Sequence, residues 1–311
     1  MNLIKQSPGK LLRDLMKKET VMMVGAYNGL VGRMLSSKGF KSAYVSGAAI
    51  TTSTGHPDIG LNSIQDFTKV ISEVYYSSGL PIIADADTGF GEGEMCVKTV
   101  WEYYKAGAAG LHIEDQVFPK RCGHLDGKNL ISTEDMVNKI KLSCKARDEC
   151  SNGEFIICAR TDAKGVEGFE SAIKRASYYA EAGADMIFPE GLGSQKEFEE
   201  FASQMKKKFP NLFLLANMTE FGKTPYIPFD TFSKIGYDVV IYPVTTLRVA
   251  MKAIENMLDN LKLNGTVEKS LDNMLTRDEL YDLLNYKPGK EWIYPQTKQI
   301  SDKKSNSKDK K

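Results

Sequence analysis

The chain has 311 residues, 42% hydrophobic and 26% charged, a length and balance suited to one large globular catalytic domain. Lys and Arg number 41 against 40 Asp and Glu, and a formal net charge of +1 gives no electrostatic reason to expect nucleic acid or an anionic membrane as partner. No run of about 18 apolar residues is present, and the five cysteines (96, 122, 144, 150, 158) show no CxxC pairing, which argues for a reducing compartment, the cytoplasm, and against a disulfide framework.

In chain order, MNLIKQSPGKLLRDLMKKE carries Leu and Lys at helical spacing without an apolar signal core, so an amphipathic helix is expected there. VMMVGAY (21–27) reads as the first strand. From here a unit recurs: a helix-period stretch ends in Gly and an apolar strand follows at once. Gly39-Phe40 leads into SAYVSG (42–47), Gly79-Leu80 into PIIADAD (81–87) and Gly107-Ala108 into GLHIED (110–115). FIICAR (155–160) follows, then MIFPE (186–190) after Gly183-Ala184, LFLLAN (212–217), and VVIYP (239–243) after Gly236-Tyr237. Glycine just past a helix end accepts the left-handed conformation that other residues resist. Near-continuous apolar runs suit parallel strands buried on both faces. Helices are expected at 94–106, 133–149, 168–182, 195–208, 229–236 and 246–264, so the fold predicted is α/β, a closed (β/α)8 TIM-type barrel with extra terminal helices. A doubly wound open sheet is the competing architecture. Thr276-Arg277-Asp278-Glu279 has the spacing of a capping box opening a last helix, 277–285. Residues 1–286 are read as one catalytic barrel domain and 287–311 as an extension, whose lysine-rich end SDKKSNSKDKK (301–311) is expected to be disordered.

The strands stay apolar until their last residues and then turn polar: Ser46-Gly47, Asp85 and Asp87, Glu114 and Asp115, Arg160 and Asp162, Glu190, Asn217 and Thr219. In a barrel of this kind the carboxyl ends of the strands carry the chemistry. Asp85 and Asp87, at i and i+2, share one face of a strand, and like charges so close repel unless a cation stands near. With Glu114 from the next strand they form an all-oxygen set suited to Mg²⁺ or Mn²⁺. The competing reading makes one a helix cap and pairs the other with Arg160. Pro119-Lys120-Arg121-Cys122-Gly123-His124 places a cysteine among cations, a setting that lowers a thiol pKa; a small buried residue is the alternative, and it suits the other four, Cys96, Cys144, Cys150 and Cys158, well. Gly89-Phe90-Gly91-Glu92-Gly93 lacks the Lys-Ser/Thr of a phosphate loop. No lysine falls in a strand's inward pattern, which speaks against Schiff-base chemistry.

The stretches SPGK (7–10), YVSGAA (44–49), PDIG (57–60), DADTGFG (85–91), AGAAGLHIEDQ (106–116), PKRCGH (119–124), ARTDA (159–163), FPE (188–190), NMTEFG (217–222) and TRDELY (276–281) resemble the isocitrate lyase / phosphoenolpyruvate mutase superfamily, and within it the branch that cleaves 2-methylisocitrate. KRCGH is the most specific of them, resembling the catalytic loop of the lyases rather than that of the phosphonate mutases. Ala48-Ala49 departs from the family, which commonly has further glycines there.

The resemblance implies a Mg²⁺-dependent retro-aldol cleavage of a small polycarboxylate, 2-methylisocitrate, to succinate and pyruvate, a step of propionate catabolism in the methylcitrate cycle. It implies metal binding by Asp85 and Asp87 with Glu114 in support, and a substrate carboxylate held at Ser46, Gly47 and Ala48. Gly123, Arg160, Glu190, Asn217, Met218, Thr219, Arg248 and Arg277 would bind the rest of the substrate. Cys122 would act as general acid, with His124, Arg160 and Asn217 stabilising the departing carbanion; the initial base is Tyr44 or Glu190. It also implies a homo-oligomer, a tetramer, with a barrel helix exchanged between subunits. Oxaloacetate hydrolase and dimethylmalate lyase share most of these motifs, and a non-catalytic binding barrel is the reading from a different class.

Overall fold

The computed structural model describes residues 6–123 and 127–292. Helix α1 (Pro8–Met16) is capped by Ser7, whose side chain accepts from Lys10 N, and its buried Gly9, Leu12 and Met16 close the lower end of the barrel. The strands are β1 (Val21–Gly25), β2 (Ala43–Val45), β3 (Ile82–Asp85), β4 (Gly110–Glu114), β5 (Ile156–Thr161), β6 (Met186–Pro189), β7 (Phe213–Asn217) and β8 (Val239–Tyr242). All neighbours pair in parallel, and β8 returns to β1 through Val21↔Val239 and Met23↔Ile241, so the barrel is closed. Every predicted strand is present with bounds shifted by no more than two residues.

The expected helices are also found, among them α5 (Glu94–Ala106), α6 (Thr133–Ser151) and α8 (Phe169–Glu181), the last preceded by the short α7 (Ala163–Val166). They are followed by α9 (Gln195–Lys208), α10 (Phe229–Ile235), α11 (Thr245–Asn264) and α12 (Arg277–Leu283). The last does open on a capping box between Thr276 and Glu279. Gly107 ends α5 at φ 97, and a Cβ there would stand 2.2 Å from the Tyr75 ring, so packing as well as backbone conformation demands glycine.

Besides the short α7, three longer helices fall outside the expectation: α2 (Gly29–Ser37), α3 (Gly47–Ser53) and α4 (Ile64–Ser78). The first two are rich in Gly, Ser and Thr, weak helix formers held by Asn28 and Ser46 as caps. The third carried a readable signal, a Ser63–Asp66 capping box followed by Ile64, Phe67, Ile71 and Val74 on one face.

Two apolar layers result. Outward residues of the strands pack on the helices, as Ala84, Leu111, Ile157 and Leu214 do. Inward residues, including Met23, Ile83, Ile156, Met186, Leu215 and Val239, fill the lower barrel. That plug leaves only the upper tier of inward positions for polar side chains.

Candidate functional site

Alternation along a strand decides which terminal residues turn into the barrel. Tyr44 and Ser46 from the end of β2, Asp85 of β3, Arg160 of β5, Phe188 and Glu190 at the end of β6, and Asn217 of β7 all line one cavity of about 90 Å³. Ala48, Thr219, Cys122, Gly123 and Arg248 complete it, so most residues expected from the sequence converge. Gly47 does not face the cavity; its N–H donates to Asp85 Oδ2 at 3.1 Å, and a Cβ there would come within 2.8 Å of that oxygen. Met218 turns outward into the helix layer, where its sulfur accepts from Ile227 N, because alternation sets it opposite Asn217. Arg277 is exposed at the start of α12 and is not among the cavity residues. His124 and the tail 301–311 lie outside the described residues. Asp115 also turns outward: it accepts from Thr161 Oγ1 and the Tyr179 hydroxyl at 2.8 Å and from Asp162 N at 2.9 Å, bracing the end of β5.

Arg160 is the hub. It is 7% exposed, with Nη1 3.1 Å from Glu114 Oε2, Nε 2.9 Å from Asp162 Oδ2 and Nη2 3.6 Å from Glu190 Oε2. Burial opposes its charge, but Asp162, Glu114 and Glu190 outweigh that and keep it protonated. Its guanidinium also lies 5.2 Å from the Phe188 ring centre. Asn217 Nδ2 donates to Glu190 Oε2 at 3.1 Å.

The Lys120 ammonium is buried between Asp58 and Asp87, 2.9 Å from Asp87 Oδ1. Burial would lower its pKa, but Asp87, Glu114, Asp85 and Asp58 hold it well above the ordinary lysine range. Asp58 and Lys120 are cavity residues that the sequence reading left without a role in binding substrate. The signal for Asp58 was present in the PDIG stretch.

Below them lies a third missed residue, His112, fully buried on β4 with Nε2 2.6 Å from the Tyr44 hydroxyl. Burial lowers its pKa to about 4, so the imidazole is neutral. Burial likewise raises Tyr44 well above the ordinary tyrosine range. A histidine in the middle of an apolar strand, at the inward parity of Glu114, was the available clue.

The carboxylates outnumber the cations here. Glu114 Oε1 is buried without a hydrogen-bond partner, while Glu114 Oε2 and Asp87 Oδ1 are met only by the cations Arg160 and Lys120. Burial pushes Glu114 well above its ordinary range and, against the opposing pull of Lys120, raises Asp87 to about 6. Burial acts on Asp85 too, but the cations Lys120 and Arg160 keep it below its ordinary value. Asp87 sits at φ 44, a left-handed conformation unusual for a residue with a side chain. Neither aspartate caps α5, whose N-cap is Gly93 without a side-chain bond.

Among the described residues no three His, Cys, Asp or Glu side chains converge as a ready-made cage. Hard oxygen donors with surplus negative charge nonetheless fit a cation that keeps most of its own water and takes only one or two carboxylates, as Mg²⁺ does.

Gly123 packs directly on this cluster. A Cβ on it would lie 2.4 Å from both Arg160 Nη2 and Glu190 Cγ. Cys122, beside it, is partly exposed and lines the cavity. The other thiols are raised by burial, Cys96 to about 11 and Cys144 to about 12, with Cys158 well above the ordinary thiol range and Cys150 also raised. The arrangement can bind carboxylates, hold negative charge on oxygen, and offer a thiol proton at the same place.

Residues 12–262 match the phosphoenolpyruvate phosphomutase family. The chain is 49% identical over 282 residues to the 2-methylisocitrate lyase of Aeropyrum pernix, covering 90% of this chain and 88% of that one. It is 42% identical over 275 residues to the 2-methylisocitrate lyase of Bacillus subtilis, covering 88% of each. Among solved structures, oxaloacetate acetylhydrolase with 3,3-difluorooxalacetate superimposes with a TM-score of 0.84 at 33% identity, covering 89% of this chain and 93% of that one.

Proposed function

Because the chain belongs to the phosphoenolpyruvate phosphomutase family, we propose that it is a carbon–carbon lyase that cleaves 2-methylisocitrate to succinate and pyruvate. The observation that carries the reaction type is the seating of Cys122 and Gly123 against Arg160 and Glu190, inside a cavity walled by carboxylate-binding groups. The substrate follows from relatives of that name at 49% and 42% identity, against 33% for the hydrolase. Phe188, Ile241 and Val244 supply an apolar wall for the substrate's alkyl group.

Cleavage begins with loss of the carbinol proton. Burial keeps Tyr44 as a phenol bonded to His112, so of the two expected bases Glu190, beside Arg160 and Asn217, takes the role. Asp85 and Asp87, with Glu114 in support, would hold a Mg²⁺ ion, which when bound would supply Lewis-acid stabilisation of negative charge on oxygen. The other fragment departs as a carbanion next to a carboxylate, and Arg160 and Asn217 hold its added charge. Cys122 then protonates that carbon. Arg248 at the rim, with Ser46 and Ala48 at the start of α3, binds the remaining carboxylates.

A homo-oligomer, a tetramer in our reading, is supported by α11. Its Met251, Ile254, Leu258 and Leu261 form an exposed apolar stripe, and only Leu247 of that helix is buried. No helix among the described residues is long and apolar enough to cross a membrane. We place the protein in the cytoplasm, consuming an intermediate of propionate breakdown.

The test is direct. Incubation with 2-methylisocitrate, isocitrate, dimethylmalate and oxaloacetate, following keto-acid or oxalate release, should give the highest kcat/KM for 2-methylisocitrate. One methyl in an apolar pocket is worth about 1–3 kcal/mol, so at least roughly tenfold discrimination over isocitrate is expected. A higher kcat/KM for any of the other three reassigns the substrate.

A further inference from the structure

Lys128 is a buried cation that the reaction does not use. It is 8% exposed, and its Nζ donates to Asp162 Oδ1 at 2.9 Å and to the carbonyl oxygen of Gly123. Burying an ammonium is costly unless its protons are taken up by acceptors. Neutralising Asp162 does not explain the lysine, because that carboxylate already receives Arg160 Nε at 2.9 Å and Nη2 at 3.2 Å and the Asp115-braced backbone fixes its place. The partner left to explain is the Gly123 carbonyl. One peptide unit away is the Cys122 side chain, and on the other side of Gly123 stand Arg160 and Glu190 with no room for a Cβ.

We infer that Lys128 is a positioning residue for the Cys122–Gly123 segment: by joining the Gly123 carbonyl to Asp162, it ties the thiol-bearing backbone to the carboxylate that aims Arg160. Thiol and guanidinium are thereby held in one frame, referred to a single carboxylate just past the end of β5. A charged hydrogen bond of this kind fixes geometry more than it adds net stability. The inference rests on the reading of Cys122 as the group that faces substrate.

The test uses the full-length protein and a readout that needs no substrate. Alkylation of Cys122 by iodoacetamide is followed by peptide mass spectrometry in the wild type and in Lys128→Met, Lys128→Gln and Lys128→Arg. Released from its tether, Cys122 should be modified about 10–100-fold faster in Lys128→Met, the population change expected when a charged hydrogen bond is lost. The arginine variant, which can still reach both acceptors, should stay close to the wild-type rate. In turnover, Lys128→Met should lower kcat with little change in KM, because the carboxylate-binding side chains remain. If Lys128→Met does not fold, Lys128→Gln, which keeps a donor for one acceptor only, carries the comparison with Lys128→Arg. A lowered melting temperature with unchanged Cys122 reactivity in the folded variants would show that Lys128 merely neutralises buried charge, and would overturn the inference. Should no tested acid be cleaved by the wild type while Lys128→Met still unmasks Cys122, the lyase reading fails and the positioning role stands.

Discussion

Gly123 and Arg160 are in such close apposition that a single methyl group on the glycine would stand 2.4 Å from the guanidinium. The backbone of the cysteine-bearing loop therefore forms part of the wall around the buried cation. Gly123→Ala should displace the loop outward without disturbing the barrel. Turnover is expected to fall by roughly 100-fold, the usual effect of misplacing reacting groups by about an ångström, at nearly unchanged melting temperature. Wild-type turnover in this variant would mean that the observed apposition is not the working geometry.

Cys122→Ser tests the proton donor. Serine is nearly isosteric but a far weaker acid, so folding and product binding should persist while kcat falls by roughly 10²–10⁴-fold. Alkylation at pH 8 should label Cys122 well ahead of Cys96 and Cys144, whose thiols burial has raised to about 11 and about 12 and so keeps protonated. Succinate with pyruvate should protect it. Retention of more than about a tenth of wild-type turnover by the serine variant would remove Cys122 from the mechanism.

The base can be assigned by ranking two variants. Glu190→Gln should cost roughly 10²–10⁴-fold in kcat, and Tyr44→Phe, which loses only the hydroxyl held 2.6 Å from His112, about tenfold. The reverse ranking would transfer the role to Tyr44.

Metal dependence follows from the surplus of buried carboxylate. EDTA should abolish turnover, and Mg²⁺ or Mn²⁺ should restore it. Binding to the native state alone stabilises it by mass action, so Mg²⁺ should also raise the melting temperature of the wild type and not of Asp85→Asn. Full activity of thoroughly stripped protein would exclude this use of the acids.

The apolar stripe on α11 predicts association. Light scattering should give a mass that is a multiple of 34.6 kDa. Ile254→Asp combined with Leu258→Asp, placing charge where apolar surface should be covered, should shift it toward the monomer. A wild type that is monomeric at micromolar concentration would leave the stripe without the proposed role.

The barrel was legible because its strands are apolar on both faces and most of them follow a helix-ending glycine, so each strand announced itself within a few residues. The rim was legible for a related reason: polarity at the end of a buried strand has few structural uses. Sequence position alone could not separate Asp115 from Glu114, neighbours that turn to opposite sides of the sheet, nor Met218 from Asn217. Nor could it name the partners of Lys120, two residues before Cys122, which are Asp58 and Asp87. Long side chains on loops choose partners by the fold, and Lys128 on the same loop was missed for that reason.

Met23, Ile83, Ile156, Met186 and Leu215 seal the axis beneath the cavity. With that floor in place, among the described residues, traffic is one-ended: the substrate and both of its fragments must pass the same rim. Two fragments made in a dead-end chamber leave in an order, the one nearer the mouth first. A product added in excess should therefore inhibit differently according to its place in the queue, and the deeper one should compete directly with the substrate for the unoccupied enzyme.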